Sequence, residues 1–222
     1  MSSYSPLPKG FDSIESTIEA FRNGEFIVVL DNEARENEGD LIIAAEDITT
    51  EKMAFMLATK LALPQMVVDN EDPNRTAYTI SIDSNDESIT TGISAHDRAL
   101  TCRTLASAKV SADSFRRPGH VFPLRARDGG VLERTGHTEA AVEFCRLAGK
   151  ASVGVICEMV NDGESVEGQT IMRDPGMMRR DACLEFGRKW GLKVCTIEDL
   201  VEYVEKEKGV GGSALPNGVN GH

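Results

Sequence analysis

Five carboxylates, Asp31, Glu33, Glu36, Glu38 and Asp40, fall within ten residues of one another. They stand between two apolar runs, Phe26 to Leu30 and Leu41 to Ala45, that read as buried strands. The acids therefore belong to a tight connection at one end of a sheet. Negative charge at that density repels itself, and a divalent cation with oxygen ligands neutralises it. Mg2+ takes one or two carboxylates together with waters and substrate oxygens. An acidic surface hairpin with no ligand explains this segment alone equally well.

A second constellation, Arg134-Thr135-Gly136-His137-Thr138-Glu139-Ala140, weighs against the hairpin. Ala141, Val142, Phe144, Cys145 and Leu147 follow at helical spacing and the pattern stops at Gly149. With Thr135 or Thr138 as cap, free backbone N–H groups, a threonine hydroxyl and the Arg134 guanidinium converge at the positive end of that helix, a phosphate-binding arrangement. His137, in the same turn, is a candidate ligand for a metal held mainly by the acidic segment.

Three further segments carry chemical groups. His120 sits between Pro118-Gly119 and Val121-Phe122-Pro123, where turns and an apolar run fix a side chain on little structure. Glu158 ends the apolar strand that begins at Ser152, as a rim residue or as a functional carboxylate. Thr90-Thr91-Gly92-Ile93-Ser94-Ala95-His96-Asp97-Arg98 gathers hydroxyls and charges at a helix start, and anion binding and plain capping fit it equally.

The elements that position these groups alternate between helix and strand. A helix capped by Asp12 or Ser13 runs through Phe21, and a second starts at Thr50 and continues around Met53 to Leu57. Tyr78 to Ile82 has the period-two alternation of a strand, Ala95 to Ala108 reads as helix, and Gly119 to Leu124 as a short extended piece. Helices from 138 to 148, from Asp174-Pro175 to Trp190 and from Ile197 to Glu207 alternate with strands at Ser152 to Cys157 and Leu192 to Cys195. The fold class is mixed α/β, a single domain over residues 11–208 between mobile ends at 1–10 and 209–222.

Composition narrows the function classes. A net charge of −12 argues against general nucleic-acid binding. No apolar stretch reaches membrane-spanning length and no signal peptide opens the chain, so the expected location is the cytosol. Cys102, Cys145, Cys157, Cys183 and Cys195 include no C-x-x-C pair and read as reduced, mostly buried thiols. From Arg98 to Arg134, eight basic residues face three acids, a local balance of +5 suited to surrounding a small anionic ligand.

Taken together, Asp31 with Arg35-Glu36-Asn37-Glu38-Gly39-Asp40, the segments Thr91 to Arg98 and Arg117 to Leu124, and Arg134 to Ala140 resemble the 3,4-dihydroxy-2-butanone 4-phosphate synthase family of riboflavin biosynthesis. The similarity runs from about Phe11 to Val204. It implies the family's own α/β arrangement and a homodimer whose active sites draw on both subunits. Glu36 and His137 match the metal ligands of one or two Mg2+ sites, with Mn2+ as a substitute. Arg35, Glu36, Asp40, Thr91, Arg134, Thr135, Gly136, His137 and Thr138 match substrate-binding positions. Glu38, Asp31, His120 and Glu158 match catalytic positions.

The implied reaction converts D-ribulose 5-phosphate into L-3,4-dihydroxy-2-butanone 4-phosphate and formate, in a stand-alone form with no cyclohydrolase domain after Glu207. One departure from the family pattern stands out. Met56 runs on to Leu63-Pro64 about one loop short, and the expectation is that this loop, a lid over the substrate, belongs to the natural protein. Another metal-dependent phosphosugar isomerase or aldolase would use the same groups, and an inactive sugar-phosphate-binding homologue would retain them.

Overall fold

A strand made wholly of apolar residues must be covered on both faces, and Ile27 to Leu30 is buried at every position. The computed structural model describes residues 10–53, 65–67 and 69–209. Its strands, in chain order, are β1 (Ile27–Leu30), β2 (Gly39–Ala44), β3 (Ile82–Ser84), β4 (Phe115–Val121), β5 (Gly154–Glu158), β6 (Val160–Asn161), β7 (Glu164–Ser165), β8 (Met172–Arg173), β9 (Gly176–Met177) and β10 (Lys193–Thr196). The helices are α1 (Ile14–Arg22), α2 (Thr50–Met53), α3 (Ala95–Ala106), α4 (His137–Leu147), α5 (Arg180–Trp190) and α6 (Ile197–Glu207).

The main sheet has the order β10-β1-β2-β5, with β1 parallel to β10 and the other two pairings antiparallel. It is a mixed sheet interleaved with helices, as expected. Alternate side chains of β1 go to opposite faces. Ile27 and Val29 pack with α1, α4 and α6, where Phe21 and Phe144 meet at a ring-centroid distance of 5.8 Å. Val28 and Leu30 pack with α3, α5 and the β3–β4 pair through Ala99, Cys102, Leu105, Cys183 and Leu184. Serine and threonine caps start three of the helices, with Ser13, Ser94 and Thr196 each accepting a bond from the backbone N–H three residues on. All five cysteines are free thiols.

Two elements differ from the sequence reading. Tyr78 to Ile82 is not one strand: Tyr78 and Thr79 make single bridges to Leu124 and Gln65, and regular pairing begins at Ile82. Thr79 donates from both its backbone N–H and its hydroxyl to the Pro123 carbonyl, and Pro123 has no N–H to return. The helix predicted from Asp174 begins instead at Arg180. Gly176–Met177 pairs with Val160–Asn161 in a ribbon, and Asp174 has φ 51°, outside the extended conformation of an N-cap. The helix expected around Met53 to Leu57 is described only as far as Met53. Residues 54–64, which hold the shortened segment, lie outside the described residues, as do 1–9 and 210–222.

Gly39 joins this packing to the acidic segment. A Cβ there would stand 2.5 Å from the Cys183 sulfur, so the start of β2 presses directly on α5. Gly39→Ala is expected to lower unfolding free energy by about 1–3 kcal/mol through overpacking. Cys183→Ala in the same chain should recover part of that loss, measured by urea denaturation as a double-mutant cycle.

Candidate metal and substrate site

The acidic segment is shaped by its first member. Asp31 leaves β1 buried, and its Oδ1 accepts from the Glu38 N–H at 2.9 Å. Its Oδ2 accepts from the Glu36 N–H at 3.1 Å and from Arg35 Nη1 at 2.7 Å. These bonds fold the chain back on itself. Asn37 turns the corner at φ 55°, and Arg179, at the start of α5, donates to the carbonyls of Glu36 and Asn37 while standing 3.5 Å from Glu38. Asp40 is already part of β2, directly opposite Glu158 of β5 in the antiparallel register.

Glu36, Glu38, Asp40 and Glu158 thereby line one cavity with Arg35, Arg134, His137, Thr138, Tyr78 and Thr76. The crowding shows in the titration of its members. Burial, then repulsion from Glu158, Glu36, Asp31 and Glu38, holds the Asp40 carboxyl well above the usual carboxylate range. Burial also raises Glu38, with Arg179 opposing and the neighbouring acids adding to the shift. Burial pushes His137 down to about 4, so it is neutral at physiological pH.

His137 Nε2 lies 3.1 Å from the Val29 carbonyl oxygen. A carbonyl only accepts, so Nε2 carries the proton and Nδ1 presents a lone pair. That lone pair faces Asp40 Oδ2 at 3.7 Å and Glu36 Oε2 at 3.9 Å. Two ligands about 2.1 Å from a common small cation stand roughly 3.0–4.2 Å apart, and both separations fall in that range. Ligand atoms of Asp31, Glu36 and His137 all lie within 4.8 Å of one another. Within that group Asp31 is the most heavily engaged, already accepting three hydrogen bonds. Glu36 is aimed by Asn74, which donates to its Oε1 at 2.6 Å, and by Arg35 on Oε2.

Neither threonine caps α4. Gly136 is the N-cap, because a Cβ at that position would stand 2.2 Å from Arg134 Nη1. The missing side chain lets Arg134 reach the buried Glu139 carboxylate, whose other oxygen accepts from the Arg127 N–H. Thr138 lines the cavity; Thr135 is exposed and does not. Of the eight central basic residues only Arg134 lines this cavity, while Arg98, Arg103, Arg116 and Arg117 bond to backbone carbonyls elsewhere.

His120 and Thr91 are also absent from the cavity lining. His120 pairs with Asp83, and Thr91 is exposed beside Gly92, which packs against that pair. Asn74, Tyr78 and Arg179 were not singled out from sequence as site residues, and each reaches the site from a distant part of the chain. Glu139 lies inside the Arg134 to Ala140 segment, and its pairing with Arg134 was not foreseen.

The sequence model of the 3,4-dihydroxy-2-butanone 4-phosphate synthase family matches residues 15–203. The chain belongs to that family. It is 57% identical to the enzyme of that name from Pyricularia oryzae, over 94% of this chain and 97% of the relative. It is 50% identical to the one from Schizosaccharomyces pombe, over 87% and 97%. A solved synthase in complex with two magnesium ions is 58% identical with a TM-score of 0.86, covering 90% of this chain and 99% of the other. A cation-free form is 57% identical with a TM-score of 0.83, covering 90% and 100%.

The Pyricularia alignment spans 225 positions yet takes in 94% of 222 residues, about 209, so about 16 positions face a gap in this chain. The S. pombe alignment spans 209 positions and takes in 87%, about 193, leaving about 16 again. These two relatives are thus longer than this chain within the aligned region.

Because folding raises the Asp40 pKa, its contribution to stability is full below the unfolded value near 3.8 and is lost as pH rises through the raised value. Asp40→Asn is therefore expected to raise the melting temperature of the cation-free protein at pH 7.5 by a few degrees, at about 2–4 °C per kcal/mol. Added Mg2+ should narrow the gap by stabilising the parent chain more. Scanning calorimetry with EDTA and with Mg2+ measures both differences.

Proposed function

We propose that this chain converts D-ribulose 5-phosphate into L-3,4-dihydroxy-2-butanone 4-phosphate and formate, using Mg2+ or Mn2+ held by Glu36 and His137. The observation that carries the proposal is the donor set itself. A neutral imidazole with its lone pair aimed at two carboxylates, at the start of a helix beside an arginine, suits a cation and a phosphate side by side. When bound, the cation offsets the negative charge that develops as a proton leaves the carbon next to the ketone.

The chain's own residues do the rest. The start of α4 offers backbone N–H groups, the Thr138 hydroxyl and the Arg134 guanidinium to the phosphate, with Thr135 and Gly136 shaping the approach. Arg35 and Asp40 orient the sugar oxygens. Glu38 takes the first proton, because Asp31 has no oxygen left free of hydrogen bonds and positions the segment instead. Glu158, across from Asp40, serves a later proton transfer. The terminal hydroxyl then leaves as water, the carbon skeleton shifts, and water releases the lost carbon as formate.

We further propose that His120 and Thr91 act in the cavity of a second copy of this chain, as a homodimer. Their separation from their own cavity supports this reading, as do the exposed side chains of Ile93, Phe122 and Tyr78 around the two clusters. A second reading, a chain that binds the sugar phosphate without consuming it, is favoured by the roughly 16 positions that relatives carry and this chain lacks.

The deciding measurement is formate released from D-ribulose 5-phosphate. Release is expected with Mg2+, and a fall of about 100-fold or more with EDTA and in Glu36→Gln and His137→Ala. Mixing inactive Glu36→Gln and His120→Ala chains should restore a fraction of the activity if each site uses two subunits. Calorimetric binding of the sugar phosphate with no formate would establish the binding-only reading.

A further inference from the structure

His120 is held in a cluster of its own. Its Nδ1 lies 2.9 Å from Asp83 Oδ2, and its backbone N–H donates to Asp83 Oδ1 at 2.9 Å. One buried carboxylate, 1% exposed, thus grips the histidine twice. The strand pair is built to allow it. Between Ile82 and Asp83 the β3–β4 register jumps from Val121 to Arg116, and the intervening residues of β4 bulge outward. Gly119 crosses the β3 backbone where a Cβ would be 2.0 Å from the Ile82 carbonyl carbon. Gly92, at φ 86°, packs where a Cβ would be 2.2 Å from Asp83 Oδ2 and 2.6 Å from His120 Nδ1.

We propose that Asp83 is a positioning residue for catalysis: it fixes His120 as the Nδ1–H tautomer, so that Nε2 presents the lone pair that exchanges a proton with the substrate. This rests on the reading above that His120 takes part in the reaction. An ionised carboxylate only accepts hydrogen bonds, so Nδ1 must donate and Nε2 is left as the acceptor. The His120 side chain remains 43% exposed, which leaves its outer edge free to meet a substrate. Arg116 Nη2 stands 3.6 Å from Asp83 Oδ2, near the carboxylate without taking the place of the imidazole. Asp97 is turned to other work, accepting from Thr90 Oγ1 and the Gly92 N–H and so holding the loop that covers the pair.

The test compares Asp83→Asn, His120→Ala and the double variant, with Mg2+ and saturating D-ribulose 5-phosphate. An asparagine of the same shape offers an N–H as well as an oxygen and removes the obligation on Nδ1 to donate. The expected result is a kcat for Asp83→Asn lowered about 100-fold or more with KM little changed, and a double variant no slower than His120→Ala alone. Nitrogen-15 NMR of the imidazole should report Nδ1–H in the parent chain and loss of that tautomer in Asp83→Asn. Asp83→Asn with full kcat, or a double variant slowed by the product of the single effects, would overturn the proposal. Full activity in His120→Ala would instead remove the reading on which it rests.

Discussion

Repulsion among carboxylates at the open end of the main sheet is the constraint the rest of the structure answers. Asp40 and Glu158 stand opposite one another on adjacent strands, an arrangement that costs stability wherever both are charged. Glu36 and Glu38 add to it from the turn above. The countermeasures come from all over the chain: Arg35 within the turn, Asn74 from the segment before β3, Arg134 from the approach to α4, and Arg179 from α5. Burial and the neighbouring acids still hold the Asp40 carboxyl well above the usual carboxylate range, so the repulsion is reduced by these groups and not removed.

Holding such a cluster requires rigid support, and the sheet supplies it by being covered on both faces. β1 and β2 have no residue left open to water, so their ends cannot relax away from the charge they carry. The Val29 carbonyl, at the edge of one core, sets the His137 tautomer; Cys183, in the other core, presses on Gly39 beside Asp40. Core packing and site geometry are thus two properties of the same few residues. Stabilising changes near Gly39 are constrained for that reason.

Local chemistry was legible in the sequence wherever it was local in the chain. The five acids, the helix start around His137 and the buried strands all follow from spacing and periodicity, because turn, cap and strand each depend on a few neighbouring residues. Asn74 and Arg179 carry no such signal: they bond to residues 38 and 143 positions away. The misread helix start at Asp174 has the same origin. An Asp-Pro pair is a good local start, and only the return of residues 176–177 to pair with 160–161 turns it into ribbon. Likewise the central basic segment reads as one anion site, yet most of its arginines bond backbone carbonyls far from the cavity.

The separation of His120 from the carboxylate cavity has a physical logic. An imidazole anchored only among those carboxylates would take its orientation and tautomer from whichever of them held it. On its own strand pair, with a private carboxylate at 2.9 Å, it keeps its tautomer whatever the state of the acidic cluster. Bringing the two clusters together only on assembly would make the completed site a property of the pair of chains. An isolated chain would then bind metal and phosphate while lacking one proton carrier. Under that arrangement the exposed apolar side chains at Ile93 and Phe122 bear on activity as much as on association, because the surface that joins the copies also sets the distance from Nε2 to the substrate.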